Sequence, residues 1–62
     1  MSKWIATAVG KMHINKITQT QVAQKMGVTR EYVNMILSER RCPTGAKSRI
    51  MTAINEIIAE RG

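Results

Sequence analysis

Residues 17–37, ITQTQVAQKMGVTREYVNMIL, have an apolar spacing that leaves little freedom of fold. On the N-terminal side of Gly27, Val22, Ala23 and Met26 fall at i, i+1 and i+4. On the C-terminal side, Val33, Ile36 and Leu37 fall at i, i+3 and i+4. Each set therefore shares one helical face. A bend of about three residues between two such helices needs a residue at positive φ, and Gly27 supplies it without a Cβ penalty. The pattern predicts a helix-turn-helix, whose second helix is the part that enters a DNA major groove.

The flanks extend the same reading. Ser2 is positioned to cap a first helix running to about His13, with Ile5, Ala8, Val9 and Met12 as its apolar side and Trp4 at the edge of the core. Gly10 weakens that helix by up to about 1 kcal/mol relative to alanine. Ile14 to Ile17 form the connector, with Asn15 expected in the left-handed conformation that ends a helix. Thr18 and Gln21 make a Thr-x-x-Gln capping box for the second helix, with Ile17 stapling its start. Thr29 caps the third helix, worth about 1 kcal/mol, which is expected to run to Ser38 or Glu39. Arg40, Arg41, Cys42 and Pro43 form a basic connector, because proline disfavours helix at the residue before it. Thr44 can cap a last helix from Ala46 to Glu60, whose apolar arc is widened on one flank by Met51 and Ile58. That flank has two readings: a deeply seated helix, or surface left over for a second subunit.

At 62 residues, with ten Lys and Arg against four acidic residues, the chain reads as one basic domain, residues 1–62, of formal charge +6. A domain so small buries only about 60% of its unfolded surface, so marginal stability or help from a partner is expected. The charge excess points to a polyanion, nucleic acid ahead of an anionic membrane surface. Cys42 is the lone cysteine and cannot form an intrachain disulfide, which fits a reducing cytoplasm. No Cys or His cluster has zinc spacing, and lone His13 reads as a polar surface residue. No apolar run approaches the roughly 18 residues of a membrane span. Neither a signal peptide nor a cofactor is expected. No nucleophile with a base, carboxylate pair or metal cluster marks an enzyme.

Ile17-Thr18-Gln19 with Val22-Ala23, then Met26-Gly27-Val28-Thr29, continue through Val33, Ile36 and the Arg40-Arg41-Cys42-Pro43 connector. This set resembles the helix-turn-helix of the Cro and CI phage repressor family, the XRE type. The resemblance covers residues 17–43 closely. It implies an all-α, lambda-repressor-like domain of four helices, or five if the chain after Pro43 is divided. Two departures stand out. The family often has glycine just past the third helix, where this chain has Glu39. Many members also have five helices, whereas the chain after Pro43 has room for one long or one bent helix.

With Val33, Ile36 and Leu37 buried, Glu31, Met35 and Ser38 lie on the opposite face of the third helix, flanked by Asn34 and Tyr32. Arg30, in the first turn, is long enough to reach past the core edge. Base edges meet the N-terminal part of a recognition helix, which makes Arg30, Glu31 and Asn34 the principal candidates, with Met35 beside them. Arginine suits guanine, asparagine suits adenine, glutamate accepts from cytosine, and the Met35 side chain suits a thymine methyl. Glu31 has a second reading, as an ion-pair partner that holds Arg30 or Lys25. Gln19, in the first turn of the second helix, lies where free amides favour a phosphate, and the resemblance implies the same role. Lys16, Thr29, Tyr32, Arg40 and Arg41 are further phosphate candidates. Roughly five neutralised phosphates would give a log K against log salt slope near −4 to −5 per subunit.

The function expected from these residues is that of a phage- or prophage-type transcriptional regulator. It would bind double-stranded DNA through a recognition helix at about residues 29–38, as a homodimer on a pseudo-palindromic operator. Met51 and Ile58 are the candidate dimer contacts, and pairing only on DNA is compatible with the pattern. A chain of this length leaves no room for a ligand-sensing domain, so no small-molecule ligand is expected. The competing expectation is a small helical protein-interaction module, an antirepressor or antitoxin-like partner, since Glu31 and Met35 also suit a protein surface. A cationic membrane-surface peptide would need one strongly basic amphipathic helix, whereas here the charge is spread between elements.

Overall fold

The capping and turn signals translate into four helices in a computed structural model that describes residues 2–61. They are α1 (Lys3–Ile14), α2 (Gln19–Met26), α3 (Arg30–Leu37) and α4 (Ala46–Arg61). Thr18 accepts from the Gln21 amide through its hydroxyl, and the Gln21 side chain accepts from the Thr18 amide at 2.8 Å, completing the capping box. The Thr29 hydroxyl accepts from the Tyr32 amide at 3.1 Å and starts α3. Gly27 takes φ 74° and ends α2. The last segment is a single helix, so the four-helix alternative holds.

Three successive helices end in the same way. Ile17 N donates to Met12 O and Lys16 N to His13 O at the end of α1. Val28 N to Ala23 O and Gly27 N to Gln24 O repeat this at α2, and Arg40 N to Met35 O and Glu39 N to Ile36 O at α3. Each is the paired backbone closure around one left-handed residue. Only one of those residues is glycine: Lys16 has φ 55° and Glu39 φ 64°. Glu39 therefore takes up the conformation that the resemblance assigns to a glycine. Its carboxylate also accepts from both the amide and the hydroxyl of Ser2, each at 2.7 Å.

The core joins all four helices and the staple residue Ile17. Ile5, Ala8 and Met12 of α1 meet Val22 and Ala23 of α2, Val33, Ile36 and Leu37 of α3, and Ala46, Ile50, Ala53, Ile54 and Ile57 of α4. Trp4, Met26, Val28, Tyr32, Met51 and Ile58 are partly buried against it. The helix α2 packs on both α3 and α4, and α1 on α4.

Several expectations are corrected. Val9 is 40% exposed, because α4 lies on the other flank of α1, where Lys11 Nζ donates to Asn55 Oδ1 at 3.0 Å. Asn15 is not left-handed; its side-chain amide donates to the Lys11 carbonyl at 2.8 Å, and the left-handed turn falls one residue later, on Lys16. Ser2 stands at the N-cap of α1 but makes no side-chain cap bond, its hydroxyl being given to Glu39. Gly45, not Thr44, closes the first turn of α4, through Arg49 N donating to its carbonyl at 3.0 Å. The helix α3 stops at Leu37, with Ser38 as its cap.

Candidate nucleic-acid interface

The two capped N-termini, Thr18 for α2 and Thr29 for α3, determine which side chains can act together. Gln19 is the first residue of α2, where the amides lack an i−4 partner. Its side-chain Nε2 donates to Asn34 Oδ1 on α3 at 3.4 Å. The sequence-derived phosphate candidate and one of the base candidates are thus in direct contact, and both are half-buried. Asn34 is held rather than free. Its Oδ1 keeps a second lone pair and its NH₂ keeps two donors, the groups an adenine edge requires.

Arg30 and Glu31 are exposed on the first turn of α3, and Tyr32 is half-buried behind them. Met35 is half-buried rather than on a fully open face. Lys25 is engaged with Glu60 in an ion pair, which leaves Glu31 the alternative of Arg30 alone. The Glu60 carboxylate holds the Lys25 ammonium above its ordinary pKa, chiefly through that hydrogen bond.

Beyond α3, the basic connector is ordered by its backbone. The amides of Arg40 and Arg41 both reach the Met35 carbonyl, at 2.9 and 3.2 Å, and Arg40 Nε donates to Ser38 Oγ at 3.1 Å. Arg40 and Arg41 are exposed, as are Lys16 and Thr29. The hydroxyl of Thr29 is used as an acceptor within the cap, which leaves its proton available to an outside oxygen. Met51 and Ile58 are half-buried on α4, away from these groups in the chain. They pack against the core edge, so both readings of that flank retain a physical basis. Cys42 is an exposed free thiol.

Sequence reasoning missed the long-range polar ties, among them Ser2 to Glu39, Lys11 to Asn55, Lys25 to Glu60, and the Arg61 guanidinium to the carbonyls of Asn15 and Lys16. None of these is foreshadowed by local spacing, because each of these pairs is separated by at least 35 residues. The Ser2 hydroxyl and amide hold the Glu39 carboxyl below its ordinary pKa. Among the described residues no group of His, Cys, Asp or Glu could hold a metal ion, and no helix is long and apolar enough to cross a membrane.

A family model described as helix-turn-helix matches residues 15–54, which takes in α2, α3, the basic connector and the first half of α4. No curated protein and no solved structure matches this chain.

Proposed function

The chain belongs to the helix-turn-helix family of DNA-binding regulators, of the XRE type, and from that premise we propose that it is a Cro/CI-like, phage- or prophage-type repressor. Residues 1–62 act as one cytoplasmic DNA-binding domain. Two copies bind a pseudo-palindromic operator, each laying α3 in the major groove of one half-site, with the half-sites about 34 Å apart. Each copy is 32 Å in its longest dimension, a size compatible with that separation. Met51 and Ile58 contribute to the contact between copies. Repression follows from occupancy, which blocks polymerase or a competing regulator.

The observation that carries this reading is the Gln19 to Asn34 hydrogen bond. It couples a group suited to phosphate with one suited to a base edge, so backbone docking and base readout are set in one geometry. Arg30, Glu31 and Asn34 read bases, with Met35 against a thymine methyl. Lys16, Gln19, Thr29, Tyr32, Arg40 and Arg41 contact phosphates. The test is a salt series on operator and random duplexes, the operator first being selected from a random pool. Arg30→Ala and Asn34→Ala should each lower the operator-to-random ratio by about 1–3 kcal/mol. If neither moves that ratio, the base-reading assignment fails. Absence of any duplex binding at about 50 mM salt, where phosphate contacts are strong, favours a protein-interaction module instead.

A further inference from the structure

The last turn of α4 grips α2 along its outer face. Gln21 and Lys25 are one helical turn apart on α2, and Arg61 and Glu60 face them from α4. Lys25 Nζ donates to Glu60 Oε2. The Arg61 guanidinium donates to the Asn15 carbonyl, to the Lys16 carbonyl at 3.5 Å and to Gln21 Oε1 at 3.4 Å. Gln21 Oε1 is the same atom that accepts from the Thr18 amide at 2.8 Å. The α1–α2 connector and the capping box are therefore joined through one planar, fixed cation. A guanidinium can serve several acceptors at once because its donors diverge in a rigid fork.

We infer that Arg61 is a positioning residue for the DNA-phosphate contact at the start of α2. This rests on the reading of Gln19 as a phosphate ligand. The amides of Gln19 and Thr20 have no partner within the helix, and a phosphate meets them only if the α1–α2 connector holds its path. Arg61 fixes that path from the rear. It occupies the carbonyls of Asn15 and Lys16, three and two residues short of the cap, and braces the Gln21 side chain that closes the cap. The side chain acts through other groups and need not touch DNA.

The role separates from a direct phosphate contact by salt dependence. Arg61→Ala, measured well below its melting temperature, should weaken binding to operator and random duplexes alike by about five- to tenfold. Its log–log salt slope should stay within about 0.3 of wild type, whereas loss of a direct phosphate contact lowers the slope by about 0.9. Arg61→Lys keeps the charge and an ammonium donor but loses the rigid fork, and should restore part of the affinity. A second measurement needs no DNA. Amide hydrogen exchange at Thr18 and Gln21 should quicken several-fold in Arg61→Ala, while the equivalent cap amide of α3, Tyr32, keeps its protection. Wild-type affinity in Arg61→Ala, a slope lowered by a full contact, or exchange that rises equally at all three amides would each overturn the inference. If wild type itself fails to bind duplex, the phosphate reading of Gln19 fails, and the exchange comparison still decides whether Arg61 braces the cap.

Discussion

Lys16→Gly should raise stability and lower DNA binding together, two effects of opposite sign from one side chain. Lys16 is exposed and holds φ 55°, and the interactions described for it, from its own amide to His13 O and from Arg61 to its carbonyl, use backbone atoms that glycine retains. An L-residue in the left-handed region costs about 1–2 kcal/mol. Glycine relieves that cost but adds about 0.5–1 kcal/mol of unfolded-state entropy. The net gain is about 0.5–1 kcal/mol, a rise of about 2–8 °C in Tm for a domain of this size. The same change removes one cation from the proposed phosphate set, so the salt slope should flatten by about 0.9. Thermal melting by circular dichroism and anisotropy titrations across a salt series read the two effects separately. Gly27→Ala is the reciprocal experiment: φ is +74° and an added Cβ would meet nothing within 4 Å. Its loss should accordingly be the mirror image, about 0.5–1 kcal/mol, from local backbone strain with no added clash against other residues. A lower Tm for Lys16→Gly would refute the strain argument. An unchanged slope would refute the phosphate assignment.

Other substitutions probe the core, the N-terminal tie and the pairing surface. Ile54→Ala opens a cavity at a fully buried position and should lose about 2–5 kcal/mol, much of the roughly 3–9 kcal/mol that 62 residues carry. Val9→Ala should stay within about 0.5 kcal/mol, as at other surface sites, in chemical denaturation of the two variants. Glu39 has its carboxyl pKa depressed by Ser2, so its contribution is present above the unfolded value of about 4.3 and is lost as pH falls through the lower folded one. Wild type should therefore converge on Glu39→Gln in stability as pH drops from about 6 to 2, and a constant gap between them would discard the tie as a source of stability. Ile58→Gln should reduce two copies per operator to one in sedimentation while the operator half-site is still bound, and undiminished pairing would remove Ile58 from the proposed contact.

What could be read from the sequence was whatever a few neighbouring residues decide among themselves. Thr18 with Gln21, Gly27, and Thr29 with the Tyr32 amide all act within three residues, and all hold in the structure. The α3 face of Val33, Ile36 and Leu37 is buried as its spacing requires. The family match to residues 15–54 rests on the same stretch. The misreadings occur where a partner outside the apolar spacing decides, a distant helix for Val9 and a carbonyl four residues back for Asn15. Val9 has the correct period for a core residue, yet α4 lies along the Lys11 flank and leaves it exposed. Asn15 has the better left-handed propensity, but its amide finds a carbonyl on the preceding turn, and the strained conformation passes to Lys16.

Glu39 shows why such a displacement is tolerated. A glutamate at φ 64° is unfavourable taken alone, and no local signal would put it there. In the folded chain its carboxylate receives two donors from Ser2, and its backbone closes α3 in the turn that carries Arg40 and Arg41. The residue is therefore held by both ends of its own structure, and a glycine would keep only one of them. Lys16 lacks that second support from its side chain, which is why relief of strain at Lys16 should appear as stability while at Glu39 it should be offset. The two left-handed residues thus separate the local part of the fold, which the sequence spells out, from the part that only long-range contact supplies.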